Sequence, residues 1–201
     1  MLCVVVIMAR APRLGEVKTR LAAALGGERA LTIYREITER VVTSVRDSEA
    51  RIVVAFTPAD GGDEMRGWLG SGFAYQPQRT GDLGHRMAGA IGAQFAAGAD
   101  RVVVVGTDCP TLDAGTVRAA FDALDADDVV FGPASDGGYY LVGMRAPHPE
   151  LFDDVPWSSE QTLAVSLERA RAAELRIALL DEMRDIDTVE DWHWHVARRG
   201  A

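Results

Sequence analysis

The stretch VVVVGTDCPTL, residues 102–112, carries the strongest indication of the fold. Its four consecutive valines are typical of a strand that is buried on both faces of a parallel sheet. The run stops at Gly106, and Asp108 follows directly after Thr107. Because open α/β sheets bind ligands at the carboxyl ends of their strands, this aspartate is expected to face a ligand. A carboxylate there needs a cationic partner, such as a divalent metal that carries a phosphorylated ligand; the alternative is a loop aspartate that caps the next helix.

The remainder of the chain alternates between the patterns of strands and helices. Apolar or β-branched runs predict strands at residues 2–8, 51–57, 73–76, 101–106, 129–132, 139–142 and 175–180. Apolar residues at helical spacing predict helices at residues 18–25, 28–46, 63–69, 82–97, 113–124, 159–173 and 188–198. This alternation predicts a three-layer α/β/α fold, in which helices cover both faces of a mostly parallel, Rossmann-like sheet. The late strands are expected to add an antiparallel edge, and residues 1–201 are expected to form one domain.

Composition excludes several classes of protein. The 201 residues include 21 Lys and Arg against 30 Asp and Glu, a net charge of −9, which argues against bulk binding of nucleic acid. No apolar stretch approaches the roughly 18 residues of a membrane span, and the apolar run at residues 2–9 precedes its basic residues, unlike a secretory signal. Cys3 and Cys109 lack the spacing of zinc ligands, and a cytoplasmic location is expected. Cys109 is interpreted as a small residue in a tight loop, with a reactive thiol as the alternative.

The segment ARAPRLGEVKTRLA, residues 9–22, follows the first predicted strand and is strongly basic. Lys18 and Arg20 lie at the start of the next predicted helix, although that end of a helix favours anions and disfavours cations. A nucleotide phosphate would compensate both cations, whereas the alternative is a solvated basic loop. The segment is neither G-x-G-x-x-G nor a P-loop, so dinucleotide dehydrogenases and P-loop kinases lose support.

Three further segments contain glycines or acids suited to a binding site. In GDLGHRM, Gly81 and Gly84 flank Asp82, which is either a helix cap or part of a backbone that closely approaches a base or sugar. In SDGGYY, Asp136 is either a hairpin turn residue or a contact to an acceptor or sugar. In RDIDTVED, Asp187 is either the cap of the terminal helix or a second carboxylate for a metal.

Taken in order, the segments VKTRLA, GDLGHRM, GTDCPTL, SDGGYYLVG, VPWSS and DIDTVEDW resemble a known family along essentially the whole chain. It is the uncharacterised glycosyltransferase-like family of the GT-A, or nucleotide-diphosphosugar transferase, superfamily, some members of which are linked to arsenosugar biosynthesis. The superfamily also includes nucleotidyltransferases of molybdenum-cofactor and deazaflavin-cofactor biosynthesis. The resemblance implies a GT-A fold. It also implies that Asp108, together with Asp187, holds Mg²⁺ or Mn²⁺ on a diphosphate, and that Lys18 and Arg20 bind phosphates.

The chain departs from the superfamily in two motifs. The Gly-rich first loop of the nucleotidyltransferases is replaced by the basic segment ARAPRLGEVKTR. The Asp-x-Asp motif of many GT-A glycosyltransferases is reduced to Asp-Cys-Pro at Asp108, which offers one carboxylate.

The leading hypothesis is a metal-dependent enzyme that transfers a sugar from a nucleoside diphosphosugar to a small-molecule acceptor. Asp136 is predicted as an acceptor-side catalytic base, and Lys18 as the cation that stabilises the leaving diphosphate. The first alternative is a nucleotidyltransferase that uses the same pocket and releases pyrophosphate from a nucleoside triphosphate. The second is a non-catalytic nucleotide-binding protein.

The expected ligands follow from these hypotheses. They are Mg²⁺ or Mn²⁺, a nucleotide sugar or nucleoside triphosphate, and a small-molecule acceptor, without nucleic acid or a membrane span. A homodimer is left open. Contacts to nucleotide or phosphate are predicted for Arg10, Lys18, Arg20, Gly81, Asp82, Gly84 and Thr107.

Overall fold

The computed structural model describes residues 1–199 and contains each predicted strand and helix. The strands are β1 (Cys3–Arg10), β2 (Arg51–Thr57), β3 (Ala74–Pro77), β4 (Arg101–Val105), β5 (Val129–Pro133), β6 (Tyr139–Met144) and β7 (Ile177–Leu179). The helices are α1 (Thr19–Leu25), α2 (Gly27–Arg46), α3 (Gly62–Leu69), α4 (Leu83–Ala96), α5 (Ala114–Ala123), α6 (Thr162–Ala172) and α7 (Val189–Arg199). A 3₁₀ turn, Pro149–Phe152, lies outside the sequence prediction because four residues are too few to show a period.

The seven strands form one sheet in the order β3-β2-β1-β4-β6-β5-β7. Neighbouring strands are parallel except around β6, which runs antiparallel to both β4 and β5. The predicted α/β fold with a mostly parallel sheet is therefore confirmed. The antiparallel strand, however, lies inside the sheet and not at its edge, where β7 is parallel to β5. The short connection between β5 and β6 makes them antiparallel neighbours, and β6 then pairs with β4 along its other side.

The alternation of side chains along each strand divides the core between the two faces of the sheet. On one face, Val4 and Val6 of β1 belong to an apolar cluster that includes Met87 of α4 and residues of α6. On the other face, Val5 and Ile7 belong to a cluster that includes residues of α2 and α5. Helices thus cover both faces, which is the predicted three-layer arrangement.

The sheet order determines which loops can form a site together. Strands β1 and β4 are neighbours, with Ile7 paired to Val105, so the loops that follow them begin side by side. These loops are the basic segment before α1 and the segment that contains Asp108. Within residues 1–199, no helix combines the length and the apolar character needed to cross a membrane.

Candidate functional site

A cleft of about 600 Å³ opens at the carboxyl ends of β1 and β4, where open α/β sheets bind their ligands. Its walls come from the loop before α1, the loop after β4, the turn between β5 and β6, and the segment before α6. The charged side chains that line it are Arg10, Glu16, Lys18, Arg20, Arg86, Asp108, Asp136, Asp185 and Asp187. The predicted site residues that the structure brings together here are Arg10, Lys18, Arg20, Thr107, Asp108, Asp136 and Asp187.

The ammonium group of Lys18 joins the two sides of the cleft. Its Nζ lies 2.6 Å from Asp108 Oδ1 and 2.7 Å from Asp187 Oδ1, and it donates a hydrogen bond to Ile186 O at 2.5 Å. The Lys18 side chain is only 6% exposed. Burial lowers the pKa of Lys18, but the Asp108 and Asp187 carboxylates outweigh burial, so the pKa lies above its ordinary value and the ammonium stays charged.

The backbone around Lys18 directs its side chain into the site. Lys18 precedes α1 and has a left-handed conformation, with φ 48° and ψ 49°, which is uncommon for a residue other than glycine. Ile186 N donates to Asp108 O at 2.9 Å, so the segment before α7 is tied to the loop after β4. Arg20 is 69% exposed, and its Nη1 lies 3.9 Å from Asp187 Oδ2.

The start of α7 explains why Asp187 is available to Lys18. Thr188 and Asp191 cap the helix reciprocally: Thr188 N donates to Asp191 Oδ2 at 2.9 Å, and Asp191 N donates to Thr188 Oγ1 at 3.3 Å. The carboxylate of Asp191 also accepts from Asp187 N at 3.3 Å. The capping role that the sequence left open for Asp187 is thus filled by its neighbours, and the Asp187 side chain faces the cleft.

A second pair of carboxyl groups, those of Asp185 and Asp136, lines the same cleft. Burial, followed by the negative charges of Asp136 and Asp187, raises the pKa of Asp185 to about 6. Asp136 is exposed and lines the cleft, and its Oδ1 accepts a hydrogen bond from Gly138 N at 2.8 Å within its own turn. Its role as a catalytic base stays a prediction. Sequence reasoning named Asp187 as the functional acid of the DID pair, but the Asp185 side chain lines the same cleft.

Two guanidinium groups, those of Arg10 and Arg86, lie near each other on the cleft wall. Burial, and then the like charge of Arg10, lowers the pKa of Arg86. Arg86 donates to Gln78 Oε1 at 3.3 Å and to the backbone oxygen of Asp82 at 3.2 Å. Within residues 1–199, neither guanidinium forms an ion pair with a carboxylate. Their combined positive charge attracts an anion to this wall, and a bound anion would relieve their mutual repulsion.

Tyr34 of α2 lines the cleft, although the sequence analysis did not single it out. Its hydroxyl donates to Arg10 O at 2.8 Å and accepts from Arg10 N at 2.8 Å, so it holds the end of β1 where the basic loop begins. Only 4% of Tyr34 is exposed. A helical apolar pattern cannot distinguish such a tyrosine from an ordinary core residue.

Gly81, Asp82 and Gly84 lie at the start of α4 and outside the cleft lining, whereas their neighbours Leu83 and Arg86 line it. Asp82 is the N-cap of α4, and its Oδ1 accepts from His85 N at 2.8 Å. Gly81 has a φ of +117°, and a Cβ at this position would lie 2.9 Å from His85 Cβ, in keeping with a tight turn that precedes the cap. Their contacts to a nucleotide stay predictions, and the structure gives each of them a local role.

Segment 153–161, which contributes Trp157 to the cleft, is held close to two glycines. A Cβ on Gly84 would lie 2.7 Å from Trp157 Cζ2, and a Cβ on Gly137 would lie 2.3 Å from Glu160 O. Leu163 N donates to Gly137 O at 2.9 Å. Glycine therefore permits α4 and the SDGG turn to pack against this wall of the cleft.

Asp108 and Asp187 are suited to a divalent cation that arrives with a phosphorylated ligand. Within residues 1–199, no three His, Cys, Asp or Glu side chains converge in a way that could hold a metal ion. Mg²⁺, however, is usually bound by one or two carboxylates together with substrate phosphates. The two carboxylates are 47% and 37% exposed toward the cleft, so they fit this shared mode of binding.

The fold is of the nucleotide-diphosphosugar-transferase type. The chain belongs to the family described as "Uncharacterized protein conserved in bacteria (DUF2064)", which matches residues 41–159. It is also 32% identical to a "putative nucleotide-diphospho-sugar transferase" from Desulfovibrio desulfuricans G20, whose crystal structure aligns over 96% of this chain and 85% of that chain with a TM-score of 0.91.

More distant structures share the fold. A CMP:2-keto-3-deoxy-manno-octonic acid synthetase complexed with CTP is 15% identical over 100% of this chain and 99% of that chain, with a TM-score of 0.61. A 4-diphosphocytidyl-2C-methyl-D-erythritol synthase from Anaerococcus prevotii DSM 20548 is 12% identical over 100% and 99%, with a TM-score of 0.66. At these identities the likeness shows the fold alone. No curated protein matches the chain.

Proposed function

We propose that the protein transfers a sugar from a nucleoside diphosphosugar to a small-molecule acceptor, with Mg²⁺ or Mn²⁺. The observation that carries this proposal is the arrangement of charge in the cleft. Arg10 and Arg86 both line the cleft and form no ion pair with a carboxylate in the part of the chain that the structure describes, while Asp108 and Asp187 share one ammonium. The first pair attracts an anion and the second attracts a cation, and a metal-bound diphosphate satisfies both.

The total charge of the cleft supports metal dependence. Four cationic side chains line it against five carboxylates, so its own charge does not compensate an added diphosphate. Asp108 and Asp187 are the residues that would hold a divalent cation, which would supply the missing positive charge. When bound, such a cation neutralises the charge that develops on the leaving diphosphate.

The residues of the chain have distinct roles in this proposal. Arg10, Arg20 and Arg86 bind phosphate oxygens as fixed positive charges. Asp136 orients the acceptor: its Oδ1 is engaged by Gly138 N, which leaves Oδ2 to accept the proton of an attacking hydroxyl group. Trp157 forms the neighbouring wall of the cleft. The donor class is supported by the description of the relative from Desulfovibrio desulfuricans G20.

Nucleotidyl transfer is the second candidate. It is supported by the shared fold of the synthetase whose structure contains CTP. In this reaction the acceptor attacks the α-phosphate of a nucleoside triphosphate and pyrophosphate leaves. The same cations would bind the leaving group, so the released product distinguishes the two reactions.

A thermal-shift panel combined with product analysis tests the proposal. Nucleoside diphosphosugars and triphosphates are each added with Mg²⁺, Mn²⁺ or EDTA. A ligand at about 100 times its Kd adds roughly 2.7 kcal/mol, which raises the Tm by about 5–10 °C for a protein of this size. We expect a metal-dependent shift with one nucleotide sugar, followed by release of nucleoside diphosphate. Release of pyrophosphate supports the second candidate, binding without turnover supports a non-catalytic protein, and no shift with any nucleotide contradicts all three.

The variant Asp108→Asn tests the role of the metal ligands. It removes one of the two carboxylates, so the metal-dependent shift and the activity are expected to be lost. Asp122→Asn is the matched control because Asp122 is an exposed carboxylate of α5 outside the cleft. Full metal-dependent activity in Asp108→Asn would exclude Asp108 as a metal ligand.

A further inference from the structure

We propose that the Lys18 ammonium occupies the position that a divalent cation takes between Asp108 and Asp187, so that cation binding requires Lys18 to leave. This inference rests on the proposed metal dependence. It adds that a residue of the chain competes with the cation for both carboxylates. The consequence is that the nucleotide-free protein binds divalent cations weakly.

The geometry of the three oxygens around Nζ supports this competition. Asp108 Oδ1, Asp187 Oδ1 and Ile186 O all lie within 2.7 Å of the same nitrogen. A cation held by the same Oδ1 atoms of both carboxylates would have to enter the space that Nζ fills. The ammonium and a dication also repel each other strongly at such short range. Both cannot be held by these oxygens together.

The composition of the chain points to the same position. Lys18 is the only lysine among the 21 cationic residues of the sequence, and the other 20 are arginines. An ammonium is a compact charge with three donors, and here three oxygens surround it, as oxygens surround a metal ion. A planar guanidinium spreads its donors over a fork and does not fit between three convergent oxygens. The side chain is thus suited to act as a resident substitute for a cation.

Binding of Mn²⁺ to the nucleotide-free protein tests the competition without relying on activity. Titration calorimetry of the full chain compares the wild type with Lys18→Met, which keeps the length of the side chain and removes its charge. We expect Lys18→Met to lower the Kd for Mn²⁺ by roughly tenfold or more. An unchanged or higher Kd would overturn the proposal.

Arg20→Gln is the matched control for a general effect of charge. Arg20 lies 3.9 Å from Asp187 but is 69% exposed, so solvent screens it and it does not fill the space between the carboxylates. We expect its removal to change the Kd by less than about threefold. An equal decrease of the Kd for Mn²⁺ in both variants would show that Lys18 acts through charge alone, and would overturn the proposal that the ammonium and the cation share one position.

A second measurement uses the wild type and covers the case in which Lys18→Met does not fold. Labelling with [¹⁵N]lysine gives one side-chain ammonium signal, because the chain has one lysine. Saturating Mg²⁺ is expected to shift this signal or broaden it as the ammonium reaches solvent, and an unchanged signal would overturn the proposal. A failure of the proposed transferase function is distinguishable, because it abolishes the response to nucleotides and leaves these two measurements unaffected.

Discussion

Replacing Gly137 with alanine is expected to destabilise the protein by roughly 2–4 kcal/mol. Gly137 has a φ of +86°, and an L residue in this region costs about 1–2 kcal/mol. The new Cβ would lie 2.3 Å from the carbonyl oxygen and 2.5 Å from the Cα of Glu160. These are backbone atoms, so segment 153–161 must move by about 1 Å to restore an ordinary contact of 3.4 Å. The movement weakens the bond from Leu163 N to Gly137 O, which contributes about 1 kcal/mol.

Gly98→Ala is the matched control for this experiment. Gly98 has a φ of +90°, but a Cβ there meets no heavy atom within 4 Å, so the variant isolates the effect of backbone conformation. Urea unfolding of both variants gives the free energy of unfolding from the midpoint at constant slope. We expect a loss of about 1 kcal/mol for Gly98→Ala and at least about twice that for Gly137→Ala. Equal losses would refute the reasoning that the close approach of segment 153–161 requires glycine.

Two further predictions concern titratable groups of the cleft. The folded-state pKa of Asp185 is about 6 against an ordinary value of 3.8, so its ionisation reduces stability as the pH rises through this range and the reduction persists above it. Asp185→Asn should therefore stabilise the protein at pH 8 by about 1 kcal/mol, after allowance for the partial exposure of Asp185, and raise the Tm by a few degrees. At pH 4 we expect no such rise. An equal rise in Tm at both pH values would exclude ionisation of Asp185 as the cause. Cys109 is 2% exposed, and burial raises the pKa of its thiol, so iodoacetamide at pH 7.5 should leave it unmodified until the protein is unfolded, as peptide mass spectrometry can check.

The elements of the fold were predictable because each one carries its own pattern. The continuous apolar strand 102–105 and the helical spacing of α2 are local signals, and the structure confirms them. The interior position of β6 was not predictable from a local pattern, because it depends on which strand pairs with the free side of the β5–β6 hairpin. That choice is set by the assembled sheet, and both an edge and an interior position satisfy the same sequence of β6.

Several residues that line the cleft were predictable from the sequence, but their contacts with one another were not. Loop positions after strands identified Lys18, Asp108 and Asp187, since carboxyl ends of parallel strands meet at one edge. Nothing local indicates that an ammonium and two carboxylates separated by up to 169 residues meet at one point. The left-handed backbone of Lys18, which directs its side chain there, also has no local signal, because such a conformation is expected of glycine or asparagine. The presence of only one lysine among 20 arginines is the signal that could have singled out this position.

The competition proposed for Lys18 links the two ligands of the cleft. In the nucleotide-free protein the ammonium balances one of the two charges of Asp108 and Asp187, and the carboxylates have little need of another cation. When the ammonium moves away from Asp108 and Asp187, it stays in the cleft, because Lys18 belongs to the loop before α1. It then joins Arg10 and Arg86 as a positive charge that a diphosphate can neutralise. A cation alone creates an uncompensated ammonium, and a diphosphate alone meets two carboxylates that are already paired. Each ligand therefore favours binding of the other, and by thermodynamic linkage the two effects are equal.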